Sequence, residues 1–186
     1  MGNQESTDAE LVARCLEAKE AFTDLYRRHA PAVFAFLKGM HRGDEHAASD
    51  SLQETFFRAY NALGKFDASR PLRPWLFTIA ANAARDALEK RKRQVGLDSD
   101  VAGALAGSDS EPLDKVVRRD SCWKLLEGAK ERLPERSLTA FLLAKTQGLA
   151  LDEVAQIQGC SIATVKRDVS DALATLTGVA HELGWV

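Results

Sequence analysis

Apolar positions recur at helical spacing along almost the whole chain. Leu11, Val12, Cys15 and Leu16 follow Thr7 and Glu10, whose three-residue separation fits a capping box opening a first helix. From Lys19 to about His41, Phe22, Leu25, Tyr26, Val33, Phe34 and Leu37 mark the inner side of a second helix. Pro31 lies inside it and predicts a kink or break near His29–Ala30. Gly39 and Gly43 end that segment. Asp44 is the expected N-cap of a third helix to about Leu63, with Leu52, Phe56, Ala59, Tyr60 and Leu63 as its stripe. A loop from Gly64 to Pro74 carries two prolines, and a fourth helix is expected to begin near Pro71 or Pro74. Its inner face comprises Trp75, Leu76, Ile79, Ala80 and Ala83, and it runs to about Arg93.

The periodicity then lapses. Residues 96–114, GLDSDVAGALAGSDSEPLD, are rich in glycine, serine and aspartate, as a flexible linker at a domain boundary would be. Helical spacing resumes from about Leu113 to Arg132. It restarts at Leu133-Pro134-Glu135-Arg136, with Leu138, Phe141, Leu142 and Ala144 inward, and stops at Gly148. No strand-like alternation and no internal repeat appear. The pattern predicts an all-α protein of two small helical domains, residues 1–95 and 115–186.

Gly148 to Leu176 is the most informative stretch. Leu151, Val154, Ala155 and Ile157 give one apolar face to a helix ending near Gln158. Gly159 stops it, and Ser161 is a good N-cap for the next. In that second helix Val165, Val169, Ala172, Leu173 and Leu176 form one stripe, and Arg167 points almost directly away from it. Two helices joined by a glycine-containing turn describe a helix-turn-helix. The pattern alone fits DNA binding and plain helix packing equally well.

Charge narrows the choice. The chain has 186 residues, 25 Lys and Arg, 27 Asp and Glu, and a net charge of −2, which argues against a nonspecific nucleic-acid coat. The charges are unevenly spread: residues 96–114 hold 5 acidic and no basic groups. The end of the fourth helix is strongly basic instead, with Arg85 and the run Lys90, Arg91, Lys92 and Arg93. That run either complements the helix dipole or contacts a phosphate backbone. Cys15, Cys122 and Cys160 are far apart, have no partner at metal-ligand spacing and are expected to be buried free thiols. No nucleophile–base motif, phosphate loop or metal-ligand set is present, so neither catalysis nor a cofactor is expected. The chain has no candidate membrane span or signal peptide and is expected in the cytoplasm.

Two constellations carry a family resemblance. Asp50-Ser51-Leu52-Gln53-Glu54-Thr55-Phe56-Phe57-Arg58-Ala59-Tyr60, then Phe66, then Arg73-Pro74-Trp75-Leu76-Phe77-Thr78-Ile79-Ala80-Ala81-Asn82, resembles region 2 of extracytoplasmic-function (ECF) sigma factors. Leu133-Pro134-Glu135-Arg136, Ala140-Phe141-Leu142-Leu143, Gly148-Leu149, Glu153-Val154-Ala155, Gly159-Cys160-Ser161 and Thr164-Val165-Lys166 resemble region 4 of the same family. Together they span about residues 8–178 in family order.

The resemblance implies an alternative sigma subunit that binds core RNA polymerase and directs it to −10 and −35 promoter elements. Asp50, Gln53, Glu54 and Phe57 match the face that docks on the clamp helices of the β′ subunit; the β flap and an inhibitory anti-sigma factor are the other protein partners implied. Phe66, Asp67, Ala68, Ser69 and Arg70 match the loop that captures an unstacked base of the −10 element, with Arg73, Asn82 and Arg85 on the adjoining helix. Cations beside aromatics suit single-stranded DNA. Ser161, Ala163, Thr164, Lys166 and Arg167 match the −35 reader in the major groove. The acidic linker corresponds to a segment lying toward the channels that RNA later occupies.

Departures from the family pattern generate further expectations. Asp168 and Asp171 on or beside the DNA-facing helix should repel phosphate. Ala150 replaces a Ser/Thr cap, and Ser51 stands where an apolar residue is more typical. A free-standing helix-turn-helix regulator and a sigma-like protein that binds polymerase or an inhibitor without reading a promoter are the competing readings.

Overall fold

The computed structural model describes residues 7–95 and 123–185, and every regular element among them is helical. The whole acidic stretch, residues 96–114, and the start of the helix expected from Leu113 lie outside the described residues. Helix α1 (Asp8–Glu17) opens with the expected capping box: Thr7 Oγ1 accepts from the Glu10 N–H at 3.2 Å, and Glu10 Oε2 accepts from the Thr7 N–H at 2.7 Å. A 3-10 turn, Lys19–Ala21, leads into α2 (Phe22–Met40). Helix α2 continues through Pro31 without the predicted break. Pro31 and Arg27, whose carbonyl the proline leaves unpaired, are both exposed, so water can satisfy the orphaned acceptor. Asp44 caps α3 (Glu45–Ala62) by accepting from the Ala47 N–H at 3.1 Å.

Helix α4 (Leu72–Val95) is the centre of the molecule. Of the predicted stripe, Leu76, Ala80 and Ala83 are buried and Trp75 and Ile79 partly buried; Leu72 and Ala84 are buried with them, and so are Phe77 and Ala81. These two lie about 100° further round the helix, so α4 is covered on a second side. It touches α2, α3 and α7. Phe36, which the predicted stripe of α2 omitted, is fully buried and meets Phe77 edge-on at 5.4 Å between ring centroids. Arg58 ties α3 to α4, donating to Glu54 at 2.6 Å and to Asp86 at 2.8 Å.

The C-terminal half begins with a helical turn, α5 (residues 123–128), which stops short of the predicted Arg132. Helix α6 (Glu135–Phe141) follows Pro134 and widens into a π turn, Leu142–Thr146. Helix α7 (Leu151–Gln158) ends at Gly159 in the left-handed conformation, φ 62°, and Ser161 Oγ caps α8 (Ile162–Glu182) by accepting from the Thr164 N–H at 3.1 Å. Val165, Val169 and Ala172 are buried as predicted. Leu173 is 42% exposed, however, and Val179 takes the inner place one turn and a half further on. The π turn approaches α2 so closely that a Cβ on Gly39 would lie 2.8 Å from Leu142 Cδ1. The buried residues of both halves form one cluster, from Val12 to Val179.

Ser51, unusual by family pattern, has a structural cause. Its hydroxyl is buried 2.8 Å from His41 Nε2, and its carbonyl accepts from the Thr55 hydroxyl at 2.6 Å. Burial lowers the pKa of His41, as it does that of His29, whose Nε2 lies 3.1 Å from Asp8 Oδ1. Both imidazoles are held neutral in the fold while the unfolded chain titrates near the usual ~6.5. The unfolded state therefore binds more protons, and stability is full above about pH 6.5 and is lost as the pH falls through it. The midpoint of thermal unfolding should drop between pH 7 and pH 5, and His41→Asn should flatten that slope, measured by circular dichroism across the range. At α7, Ala150 offers no side-chain acceptor, and only Glu153 returns a bond, at 2.8 Å to the Ala150 N–H. Ala150→Ser should stabilise the chain by about 0.5–1 kcal/mol in chemical denaturation.

Candidate functional site

The residues expected to act fall on three separate surfaces. On α3, Asp50, Gln53, Glu54 and Phe57 follow one another at i, i+3, i+4 and i+7, and all four are exposed. Leu52, Thr55, Phe56 and Ala59 on the opposite side are buried, which fixes the rotation of the helix. Phe57 is 64% exposed, an unusual placement for a phenyl ring unless something covers it. Glu54 is held by Arg58, whereas Asp50 and Gln53 extend into solvent beside the ring. The face combines an apolar anchor with two carboxylates and an amide, suited to a partner surface bearing arginines.

The second surface is the loop between α3 and α4. Asp67 Oδ1 accepts from the Ser69 N–H at 3.0 Å and from the Ser69 hydroxyl at 2.6 Å, a turn that holds the loop tip without help from the core. The Ser69 hydroxyl bond keeps the Asp67 carboxyl below its usual pKa range. Phe66 is half-buried against Trp75, with ring centroids 4.8 Å apart. Ala68, Ser69 and Arg70 are exposed and, with Phe66, Asp8 and Val12, border a surface cavity of about 450 Å³. Asn82 is exposed on α4, and Arg85 donates to its Oδ1 at 3.0 Å. Arg73 borders the same cavity but sends its guanidinium to the C-terminal half, donating to the Gln147 carbonyl at 2.7 Å. Arg73 is thus engaged across the molecule, and Arg85 also lies 3.9 Å from Glu135 of the C-terminal half, whereas Arg70 pairs with Asp67 of its own loop at 3.5 Å.

The third surface is the start of α8. Ser161 and Thr164 bond each other, with oxygens 2.9 Å apart, as part of the N-cap. Ala163, Lys166 and Arg167 project outward, and the Arg167 side chain is 70% exposed. Small residues around two cations let a helix end approach a groove closely, and its dipole favours phosphate.

Asp168 corrects the sequence-based expectation. It is 5% exposed and turned inward, where its carboxylate accepts from Arg136 Nε at 2.8 Å. It therefore faces α6 rather than solvent. Arg136 also accepts at its carbonyl from the Gln158 amide at 2.8 Å, so one residue joins α6, α7 and α8. Its 32-residue separation from Asp168 left no local signal for either role. Asp171 is exposed, as expected. Of the cysteines, Cys15 is buried with its thiol pKa pushed up by burial, Cys160 is half-buried, and Cys122 lies outside the described residues. Among the described residues no group of three His, Cys, Asp or Glu could hold a metal, and no helix is long and apolar enough to cross a membrane.

Comparison with known proteins adds independent findings. The model for sigma-70 region 2 matches residues 25–94, and the model for sigma-70 region 4 matches residues 124–176. The chain is 36% identical over 149 residues to the RNA polymerase sigma factor CarQ of Myxococcus xanthus, covering 77% of this chain and 80% of that one. It is 33% identical over 144 residues to the ECF RNA polymerase sigma factor SigM of Bacillus subtilis, covering 77% and 85%. Among solved structures, the sigma factor RpoE of Bartonella quintana in complex with the anti-sigma factor NepR superposes with a TM-score of 0.67 at 25% identity, covering 86% and 96%.

The inward Asp168 generates a prediction. Asp168→Arg sets a second guanidinium against Arg136 in a buried position and should lower the unfolding midpoint by about 5 °C or more. If the carboxylate faced DNA, the same change would instead raise DNA affinity and steepen its salt dependence without loss of stability.

Proposed function

The chain belongs to the ECF sigma factors of RNA polymerase, and from that premise we propose how its three surfaces divide the work of promoter recognition. Polymerase supplies the chemistry, and this subunit supplies binding. The exposed face of Asp50, Gln53, Glu54 and Phe57 docks on the clamp helices of β′, with Phe57 as the apolar anchor and the carboxylates opposite arginines. The single observation that carries this assignment is the 64% exposure of Phe57 at the end of the stripe that holds Asp50, Gln53 and Glu54.

The loop from Phe66 to Arg70 receives an unstacked base of the −10 strand in the cavity it borders. The ring of Phe66 offers a stacking surface, the exposed Arg70 a cation, and the Asp67–Ser69 turn sets the loop before DNA arrives. Stacking of this kind contributes about 1–3 kcal/mol per base. Asn82 and the cations of α4, Arg73 and Arg85, track the same strand. Ser161, Ala163, Thr164, Lys166 and Arg167 enter the major groove at the −35 element while the C-terminal half rests on the β flap. The acidic segment, residues 96–114, connects the two readers. Neither reader needs high affinity alone, because polymerase holds both and makes the contact bivalent. The protein acts in the cytoplasm, and an anti-sigma factor of the kind seen with the Bartonella protein covers its polymerase-binding surfaces when it is idle.

Run-off transcription with core polymerase over DNA from the source genome, followed by mapping of start sites, tests this function. Promoter-specific transcripts that require the chain are expected, and core binding with no open complex on any such DNA refutes it. Phe57→Ala should weaken core binding, and Arg167→Ala should reduce initiation at −35-dependent promoters by about 10-fold with core binding intact.

A further inference from the structure

The cavity beside the loop from Phe66 to Arg70 is bordered on another side by α1, and there it meets a carboxylate. We propose that Asp8, in the first turn of α1, reads the base taken into this cavity: it accepts from an exocyclic amino group, as cytosine and adenine carry, and disfavours the carbonyl of thymine and guanine. The proposal rests on the assignment of the cavity to the −10 strand given above, and it names the class of base received there.

Two segments border the cavity: α1 through Asp8, Ala9 and Val12, and the loop with the start of α4 through residues 66 and 68–73. Among the described residues that border it, Asp8 alone is acidic. The neighbouring carboxylate of Asp67 is taken up by its own turn, accepting from Ser69 and pairing with Arg70 at 3.5 Å. Asp8 is held by two adjacent residues of α2. Arg28 Nη1 donates to its Oδ1 at 3.1 Å, and His29 Nε2 lies 3.1 Å from the same oxygen. Oδ2 has no hydrogen-bond partner among the described residues and keeps its lone pairs for a donor. The Asp8 side chain is 35% exposed and that of Arg70 78%, so the carboxylate is the more covered of the two charges at the cavity. Arg28 and His29 set the carboxylate before DNA arrives, as the Asp67–Ser69 turn sets the loop.

The chemistry of a tethered base makes this carboxylate selective. A base is tied to its strand through the sugar, so the group that reaches furthest inward is the substituent at C4 of a pyrimidine or C6 of a purine. In cytosine and adenine that substituent is an amino group, a donor; in thymine and guanine it is a carbonyl oxygen, an acceptor. A carboxylate meets the amino group with a charge-assisted hydrogen bond. Against a carbonyl it sets acceptor to acceptor, and both lose water without gaining a partner. Phe66 supplies the stacking surface and Arg70, at the exposed tip, the cation for phosphate, neither of which distinguishes one base from another. Asp8 lies ahead of residues 25–94, the segment that the region 2 model matches. Capture thus belongs to the loop, and identity is read from α1.

Base-by-base binding tests the assignment. Core polymerase assembled with the full chain is titrated, by fluorescence anisotropy, against single strands covering a −10 element mapped in the run-off experiment. Each position of the element is replaced in turn by an abasic site and by each of the other bases. The captured position is the one at which loss of the base weakens binding most. There the wild-type chain should bind strands carrying cytosine or adenine about 10-fold more tightly than those carrying thymine or guanine, and comparing cytosine with adenine shows which ring the cavity takes. Asp8→Asn keeps an oxygen for Arg28 and His29 but adds an amide donor for a carbonyl, and should cut that ratio to about 2-fold or less. Asp8→Ala should abolish it. The ratio compares strands on one variant, so a loss of folded chain leaves it unmoved, and circular dichroism checks the helices. A wild-type chain that favours thymine or guanine overturns the proposal. So do folded Asp8→Asn and Asp8→Ala chains that keep the wild-type ratio. Failure of the base-capture reading is distinct: an abasic site at any position then leaves wild-type binding unchanged, and the role of Asp8 falls with it.

Discussion

The structure depends on the burial of α4 from more than one direction. Leu72, Leu76 and Ala80 are buried, which alone would make an ordinary amphipathic helix. Phe77 and Ala81 are buried as well, and α7 lies against the same helix. The run of small side chains, Ala80, Ala81, Ala83 and Ala84, lets neighbours approach closely without large residues on every side. Because α4 also carries Asn82, Arg85 and the basic run ending at Arg93, whatever packs against it decides which of these cations meet solvent.

Charge on the C-terminal half is divided by the same logic. Asp168 is sequestered by Arg136, leaving Lys166 and Arg167 as the outward charges near the start of α8, with Asp171 one turn further along. A buried carboxylate with an arginine partner contributes little net stability compared with an apolar pair, but it is costly to unpair. Its effect is therefore on specificity of packing: α8 can take only the rotation that brings residue 168 to Arg136, and that rotation turns Arg167 outward. The aspartate that looked hostile to DNA is part of what aims the helix.

The three surfaces differ in how far they are organised before any partner arrives. The loop from Asp67 to Ser69 is fixed by its own hydrogen bonds, and the start of α8 by the Ser161 cap. The α3 face has no such internal bonding beyond Glu54 with Arg58 and relies on the rigidity of an eighteen-residue helix. A docking surface needs position more than conformation, whereas a base-capturing loop needs both, because ordering a loop on binding costs conformational entropy.

Periodicity and capping chemistry are local, and what they control was legible in the chain itself. The Thr7 box, the Asp44 cap, Gly159 in left-handed backbone and the Ser161 cap all stand where the residues predicted them, because each depends on neighbours within four positions. The outward set Asp50, Gln53, Glu54 and Phe57 was equally legible, since a buried stripe fixes its opposite face, and the motifs of both halves named the family. Pro31 does not break α2, and the carbonyl it frees, on exposed Arg27, is open to water. Tertiary structure alone decided the rest: Asp168 turned toward Arg136, Leu173 left out of the core, Phe36 brought in, and Arg42 and Arg73 spent on carbonyls 74 to 91 residues away. Such pairings are set by how helices stack, and a one-dimensional pattern holds no record of which distant backbone oxygen an arginine will meet.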